Sequence, residues 1–225
     1  MTALQTPPAP SLAPAMPGAP YSGLSAAERY LHVTRDRALL DLLRRRGVAS
    51  LAGRRIVELG CAGGALLRSL LSYGAGAALL EAVDIDPIRV RRARAAAPGA
   101  RIAVASASAL PYADGAFDLA FAFTFFSSVL DGEPRRRAAR EAMRVLRPGG
   151  LLAVYDFWTN PINRRVQPLR ERELRALFGR AVAEVARVTL APPIVRALGG
   201  HAALCAPLER LPFLRTHLLA AVVKE

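Results

Sequence analysis

From Arg55 to Phe157 short apolar runs alternate with longer segments of helical spacing. The runs are Arg55–Leu59, Leu79–Asp84, Arg101–Ala105, Phe117–Phe123 and Leu151–Phe157, each the length of a buried strand. Between them Ala65–Tyr73, Ile88–Ala97 and Pro134–Leu146 read as helices, stopped by Gly74, by Pro98-Gly99 and by Arg147-Pro148-Gly149-Gly150. Asp86 is placed to cap the second of these, with Pro87 in its first turn. Ahead of the alternation, Ala26–Arg46 is a predicted helix with Leu31, Leu39, Leu40, Leu42 and Leu43 as apolar positions and Gly47 as its stop. After it come a helix over Arg170–Phe178, a strand over Val182–Leu190, a proline-bounded segment Pro192–Leu208 and a closing strand Thr216–Val223.

Strand–helix alternation implies parallel strands joined by right-handed crossovers, with helices on both faces. The expected fold is α/β: a doubly wound, mostly parallel sheet of seven strands whose C-terminal strand is antiparallel to a neighbour. Ligands in such sheets bind beyond the carboxyl ends of the strands. Glu58, Asp84, Ser106 and Phe123 all stand at strand ends and are expected to converge on one cleft.

Length changes this picture little: 225 residues, 52% of them hydrophobic, suit one α/β domain over 21–225, with 21–50 as an N-terminal helical cap and 192–210 contributing to a small helical lid. Residues 1–20 are rich in proline and alanine and are expected to form a disordered tail. The formal net charge of +13 raises nucleic acid or an anionic membrane as partners. Against both, Lys224 is the only lysine, the arginines are scattered from Arg29 to Arg215, and alanine is abundant, as in a GC-rich coding bias. Nucleic acid and membrane are therefore not expected as partners. Cys61 and Cys205 lack metal-ligand spacing, so no metal site is expected, and a reduced, cytoplasmic protein is. The chain start lacks a secretory signal, and no apolar run reaches membrane-spanning length. Either a monomer or a homodimer fits.

The chemistry concentrates at Ile56–Gly64, where an apolar strand runs into an acid and a glycine-rich turn. A phosphate loop would need Gly-Lys-Ser/Thr, but the chain continues Gly64-Ala65-Leu66. A dinucleotide loop needs G-x-G-x-x-G, and Gly60-x-Ala62-x-x-Ala65 is a poor match. An acid beside a helix N-terminus instead suits a zwitterion, the acid taking an ammonium and backbone N–H groups a carboxylate. S-adenosylmethionine carries both groups.

The sequence resembles the class I S-adenosylmethionine-dependent methyltransferases, whose fold is Rossmann-like. Val57–Gly64 is similar to their first motif and Val83-Asp84-Ile85-Asp86-Pro87 to their second; Leu110–Asp118 and Leu146–Gly150 match the stretches before the fourth and fifth strands. The resemblance implies that Glu58 with the backbone of Gly60, Cys61, Ala62, Gly63 and Gly64 holds the methionine end. It implies Asp84 on the ribose hydroxyls, Ile85 against the adenine, Ser106 and Ala107 at its edge, and Phe123 near the sulfonium. Three positions depart from the pattern: Ala62 for a glycine, Ser106 for an acid, and Ser128 where many relatives carry a histidine.

Methyl transfer needs alignment first and a base only for a protonated nucleophile. Asp156 and Tyr155, at the end of the fifth strand, are the candidate catalytic groups, ahead of Asp131 and His32; His201 and His217 read as structural or surface groups. Tyr21, Tyr30, Phe126 and Trp158 are candidate substrate contacts, with Phe125 and Phe157 as further apolar walls. A small-molecule acceptor in a biosynthetic or modification pathway follows, with oxygen as the leading acceptor atom and nitrogen, carbon or sulfur left open. Three other readings stay open: a catalytically silent adenosylmethionine-binding partner subunit, a nicotinamide-dependent reductase, and an RNA methyltransferase.

Overall fold

Seven strands, β1 (Ile56–Leu59), β2 (Leu80–Asp84), β3 (Arg101–Val104), β4 (Phe117–Phe123), β5 (Leu146–Phe157), β6 (Val182–Leu190) and β7 (Arg215–Val223), form one sheet in the order β3-β2-β1-β4-β5-β7-β6. They belong to a computed structural model that describes residues 25–160 and 166–225. The tail expected over 1–20 and Tyr21 lie outside the described residues. Neighbours pair in parallel from β3 to β5, and β7 runs antiparallel to both β5 and β6. The expected fold class is the one observed.

Helices α2 (Ala65–Ser72) and α3 (Pro87–Ala96) cover one face of the sheet together with α1 (Ala26–Arg45). Helices α4 (Gly132–Val145) and α5 (Glu171–Phe178) cover the other. Both faces are buried, so the central strands carry apolar side chains on either side rather than in alternation. Asp86 caps α3 as expected, its Oδ1 accepting from Ile88 N at 2.8 Å, and Pro87 opens the helix.

A third cluster lies at the carboxyl edge of the sheet. There α6 (Pro192–Ala197) and α7 (Ala202–Glu209) bridge the end of β6 to the start of β7, and the first turns of α1 pack on them through Ala27 and Leu31. Partly buried hydrogen bonds hold α1 to α2 and its C-cap: Asp36 Oδ2 accepts from Ser69 Oγ at 2.9 Å and from the Tyr73 hydroxyl at 2.8 Å.

The fifth strand starts five residues earlier than expected. Leu146 pairs with Phe117 and Leu151 with Leu119, so Arg147–Gly150 bulges out of a continuous strand instead of ending a loop. Gly149 has φ +72°, and a Cβ at Gly150 would lie 2.8 Å from the Arg147 carbonyl oxygen. The glycines therefore permit the bulge.

Candidate active site at the carboxyl edge

One row of side chains crosses the sheet on the α1 face at its carboxyl edge. Strand register places Asp84 of β2, Glu58 of β1, Phe123 of β4, Tyr155 of β5 and His217 of β7 on it, all buried. Phe123 and Tyr155 rings lie 5.2 Å apart, and His217 stacks on Tyr155 at 4.8 Å. The Tyr155 hydroxyl shares a hydrogen bond of 2.9 Å with Thr189 Oγ1.

The glycine turn closes one end of the row. Asp84 ties it down, Oδ2 accepting from Ala62 N at 2.9 Å and Oδ1 from Asp86 N at 3.0 Å. Each oxygen keeps further acceptor capacity. A side chain on Gly60 would meet the Phe125 ring at 2.6 Å, and one on Gly64 would meet the Cα of Ala93 at 2.9 Å, so the turn is pressed between an aromatic ring and α3. Ala62 accordingly sits at φ +46° without being glycine. Among the described residues the other non-glycine residues with positive φ are Thr124, just after β4, and Thr189, next to the end of β6 at the same edge. Backbone strain of this kind collects at functional sites.

Glu58 is the least satisfied group in the row. It is 3% exposed, and its buried Oε2 has no hydrogen-bond partner. Burial raises its pKa to about 8; the Arg35 charge works against the rise and Asp84 adds to it. Cys61 responds to both carboxylates, its thiol pushed up by burial and then by Glu58 and Asp84. The two acids are therefore close enough beside the turn to act on each other and on the same thiol.

Arg35 was missed by that reading. From α1 its guanidinium stands 5.8 Å from the centre of the Phe123 ring and pairs with Asp36 at 2.6 Å. It depresses the pKa of Tyr155, against the larger effect of burial, and adds to the burial that holds His217 down at about 3. An arginine in mid-helix reads as surface, so no signal in the sequence marked it. His217, read as structural or surface, is buried within the row, where Phe157 also packs on it at 4.4 Å.

Other expected residues lie elsewhere. Asp156 is fully buried on the opposite face; its Oδ2 accepts from Ser127 N at 3.0 Å and its Oδ1 from Phe157 N at 2.8 Å. Burial raises its pKa to about 6, but its oxygens hold backbone and face away from the row. Phe126 is also core, packed edge-on to Phe178 at 5.6 Å, whereas Phe125 reaches the glycine turn. Tyr30 donates to Glu209 Oε2 at 2.9 Å and so joins α1 to α7. Trp158 lies under the Arg187 guanidinium at 4.0 Å. Ser106 Oγ accepts from Ser108 N at 3.2 Å, and Ala107 is buried behind it. His32 is half-buried, which lowers its pKa, and His201 is exposed. A cavity of about 210 Å³ lined by Arg46, Arg54, Asp118 and Arg147 lies at the amino edge, away from the row.

A family model described as "Methyltransferase domain" matches residues 57–154, the span from β1 through β5 that supplies most of the row. Residues 57–154 thus resemble a methyltransferase domain. The chain shows 30% identity over 130 residues to 2-methyl-6-phytyl-1,4-hydroquinone methyltransferase of Synechocystis, covering 51% of this chain and 39% of that one. To 27-O-demethylrifamycin SV methyltransferase of Amycolatopsis mediterranei it shows 33% identity over 116 residues, covering 49% and 41%. The chain thus spans about two-fifths of the length of these relatives. The fold matches the crystal structure of an S-adenosylmethionine-dependent methyltransferase from Mesorhizobium loti with a TM-score of 0.60 at 23% identity, over 83% of this chain and 98% of that one. Among the described residues no His, Cys, Asp and Glu cluster could hold a metal ion, and no helix is long and apolar enough to cross a membrane.

Proposed function

We propose that the chain transfers a methyl group from S-adenosylmethionine to a hydroxyl oxygen of a small, largely apolar acceptor such as a hydroquinone or phenol. The observation that carries the cofactor is the partnerless Glu58 Oε2, a buried acceptor that an ammonium group would satisfy. Asp84, which holds the Ala62 amide, keeps acceptor capacity that two vicinal hydroxyls would use. The cofactor, once bound, supplies an electrophilic methyl on a positively charged sulfur.

This chain's residues then have to align the acceptor and exclude water. Phe123 and Tyr155 line the row apolarly, and the Arg35 cation beside them favours the ionised form of an acceptor hydroxyl. A phenolic acceptor of that kind needs no strong base, which fits the engagement of Asp156 by backbone amides. The hydroquinone in the name of one relative and the 27-O position in that of the other support an oxygen-bearing, apolar acceptor.

Calorimetry with S-adenosylhomocysteine, followed by transfer of labelled methyl from S-adenosylmethionine to a panel of hydroquinones and phenols, tests the proposal. Binding abolished by Glu58→Gln with Asp84→Asn, together with labelled methyl recovered as a methyl ether, supports it. Binding with no methylated product from the panel favours the silent partner subunit, and stabilisation by NADPH alone favours the reductase.

A further inference from the structure

The cap formed by α1, α6 and α7 has an inner and an outer side. Its inner side is packed: Cys205 and Leu190 are fully buried, and Leu208 and Leu214 close over them. Its outer side is apolar and bare. Phe213 is 75% exposed, Leu204 53% and Leu211 39%, and Ala202, Ala203, Ala206, Pro207 and Pro212 are exposed between them. From Ala202 to Leu214 the only charged residues are Glu209, which holds the Tyr30 hydroxyl, and Arg210, which is exposed. A contiguous apolar face of this kind marks a contact surface.

Its position narrows the occupant. Because β6 runs parallel to β5 and β7 returns, the α6–α7 connection lies at the carboxyl edge, the same edge as Glu58, Phe123 and Tyr155. Charge narrows it further. Arg196 is paired with Glu28 at 3.0 Å, which leaves Arg210 and Arg215 against Glu209 in the segment 191–216, within a chain of net charge +13. Two such copies repel each other, whereas an anionic lipid surface attracts them.

We infer that this face rests on an anionic bilayer surface, with Phe213, Leu211 and Leu204 dipping into the headgroup region and Arg210 against lipid phosphate. The cap then opens toward the phase in which an acceptor with a long apolar chain dissolves, which extends the acceptor class proposed above and rests on it. Attachment of this kind is peripheral and reversible, in contrast to the sequence expectation of no membrane partner.

Flotation of the full chain with vesicles of phosphatidylcholine, with and without phosphatidylglycerol, tests the inference. The wild type is expected to float with the anionic vesicles only, and less so at high salt. The double variant Phe213→Asp with Leu204→Asp is expected to lose about tenfold or more of that binding, since two apolar side chains no longer leave water, while its affinity for S-adenosylhomocysteine is unchanged. No flotation of the wild type, or equal flotation of the variant, overturns the inference. A wild-type dimer that the double variant abolishes, with no vesicle binding, overturns it in favour of a second copy. Vesicle binding without methylation of any hydroquinone leaves the surface standing and removes the proposed acceptor.

Discussion

Replacing Glu58 by glutamine gives the sharpest test of how the row recognises an amino acid end. In the free protein Glu58 has its pKa raised to about 8 by burial. At pH 7 only about one molecule in ten then carries the charge. An α-amino group, with an ordinary pKa near 8, is mostly protonated at that pH. The bound pair of carboxylate and ammonium holds one proton, whereas below pH 7 the separated partners hold two. Binding must therefore release close to one proton, and affinity must rise about tenfold, or about 1.4 kcal/mol, from pH 6 to pH 7. Above about pH 8 both partners have lost their protons and the pair must recover one, so affinity falls again. The curve is a bell centred near pH 8. S-adenosylhomocysteine is a suitable probe, and titration calorimetry in two buffers of different ionisation enthalpy reads the proton directly. Glu58→Gln is expected to bind weakly and to lose the acid limb. A wild-type affinity that stays flat from pH 6 to 7.5 with no proton release would show that no ammonium meets this carboxylate.

Other outcomes follow from the same geometry. Because the folded protein holds the Glu58 proton more tightly than the unfolded chain does, stability in the absence of ligand is expected to fall as pH rises from about 4.5 to about 8. Glu58→Gln should flatten that loss, whose upper bound is about 5 kcal/mol, in urea melts across the range. Gly64→Ala forces a side chain at φ +80° against the Cα of Ala93; a loss of about 2–4 kcal/mol in the same melts is expected, and a loss below about 0.5 kcal/mol would contradict the close approach of α2 to α3. Asp36→Ala strands Arg35 and unties α1 from α2 at Ser69 and Tyr73, for a cost of about 3 kcal/mol, with hydrogen exchange in α1 accelerated ahead of the sheet. Arg35→Gln is expected to move the acid limb of the kcat/KM profile for a phenolic acceptor upward by about one pH unit, since a cation near the oxygen is removed; an unmoved limb would take Arg35 out of the chemistry.

The sequence was most legible where a strand end carries a charge. Glu58 and Asp84 break apolar runs, so their positions beside the turn could be read directly. Tyr155 and Asp156 show the limit. Both end the same run, but adjacent strand residues point to opposite faces, and β5 is buried on both. Leu152 and Ala153 therefore say nothing about which face meets the row. Pairing with Leu219 and Leu218 decides it, and that information lies more than sixty residues away. Phe125 and Phe126 differ for a similar reason: a turn after Thr124, at φ +49°, aims one at Gly60 and buries the other. The start of β5 was hidden because Pro148, Gly149 and Gly150 spell a turn whether the strand ends there or bulges. Arg35 was invisible because helical periodicity marks apolar faces, and a cation turned inward lies outside that signal.

The sheet order has a consequence for how the molecule is made. The strand that comes last in sequence, β7, lies between β5 and β6, both of which precede it. During synthesis the first five strands can assemble, but the outer flank of β5 and the inner flank of β6 stay open until Arg215–Val223 has left the ribosome. The cap is completed at the same moment, since α7 leads into that strand. A polypeptide halted short of it would therefore carry the glycine turn and both acids yet present sticky edges to its neighbours, so binding competence and freedom from aggregation arrive together with the final insertion.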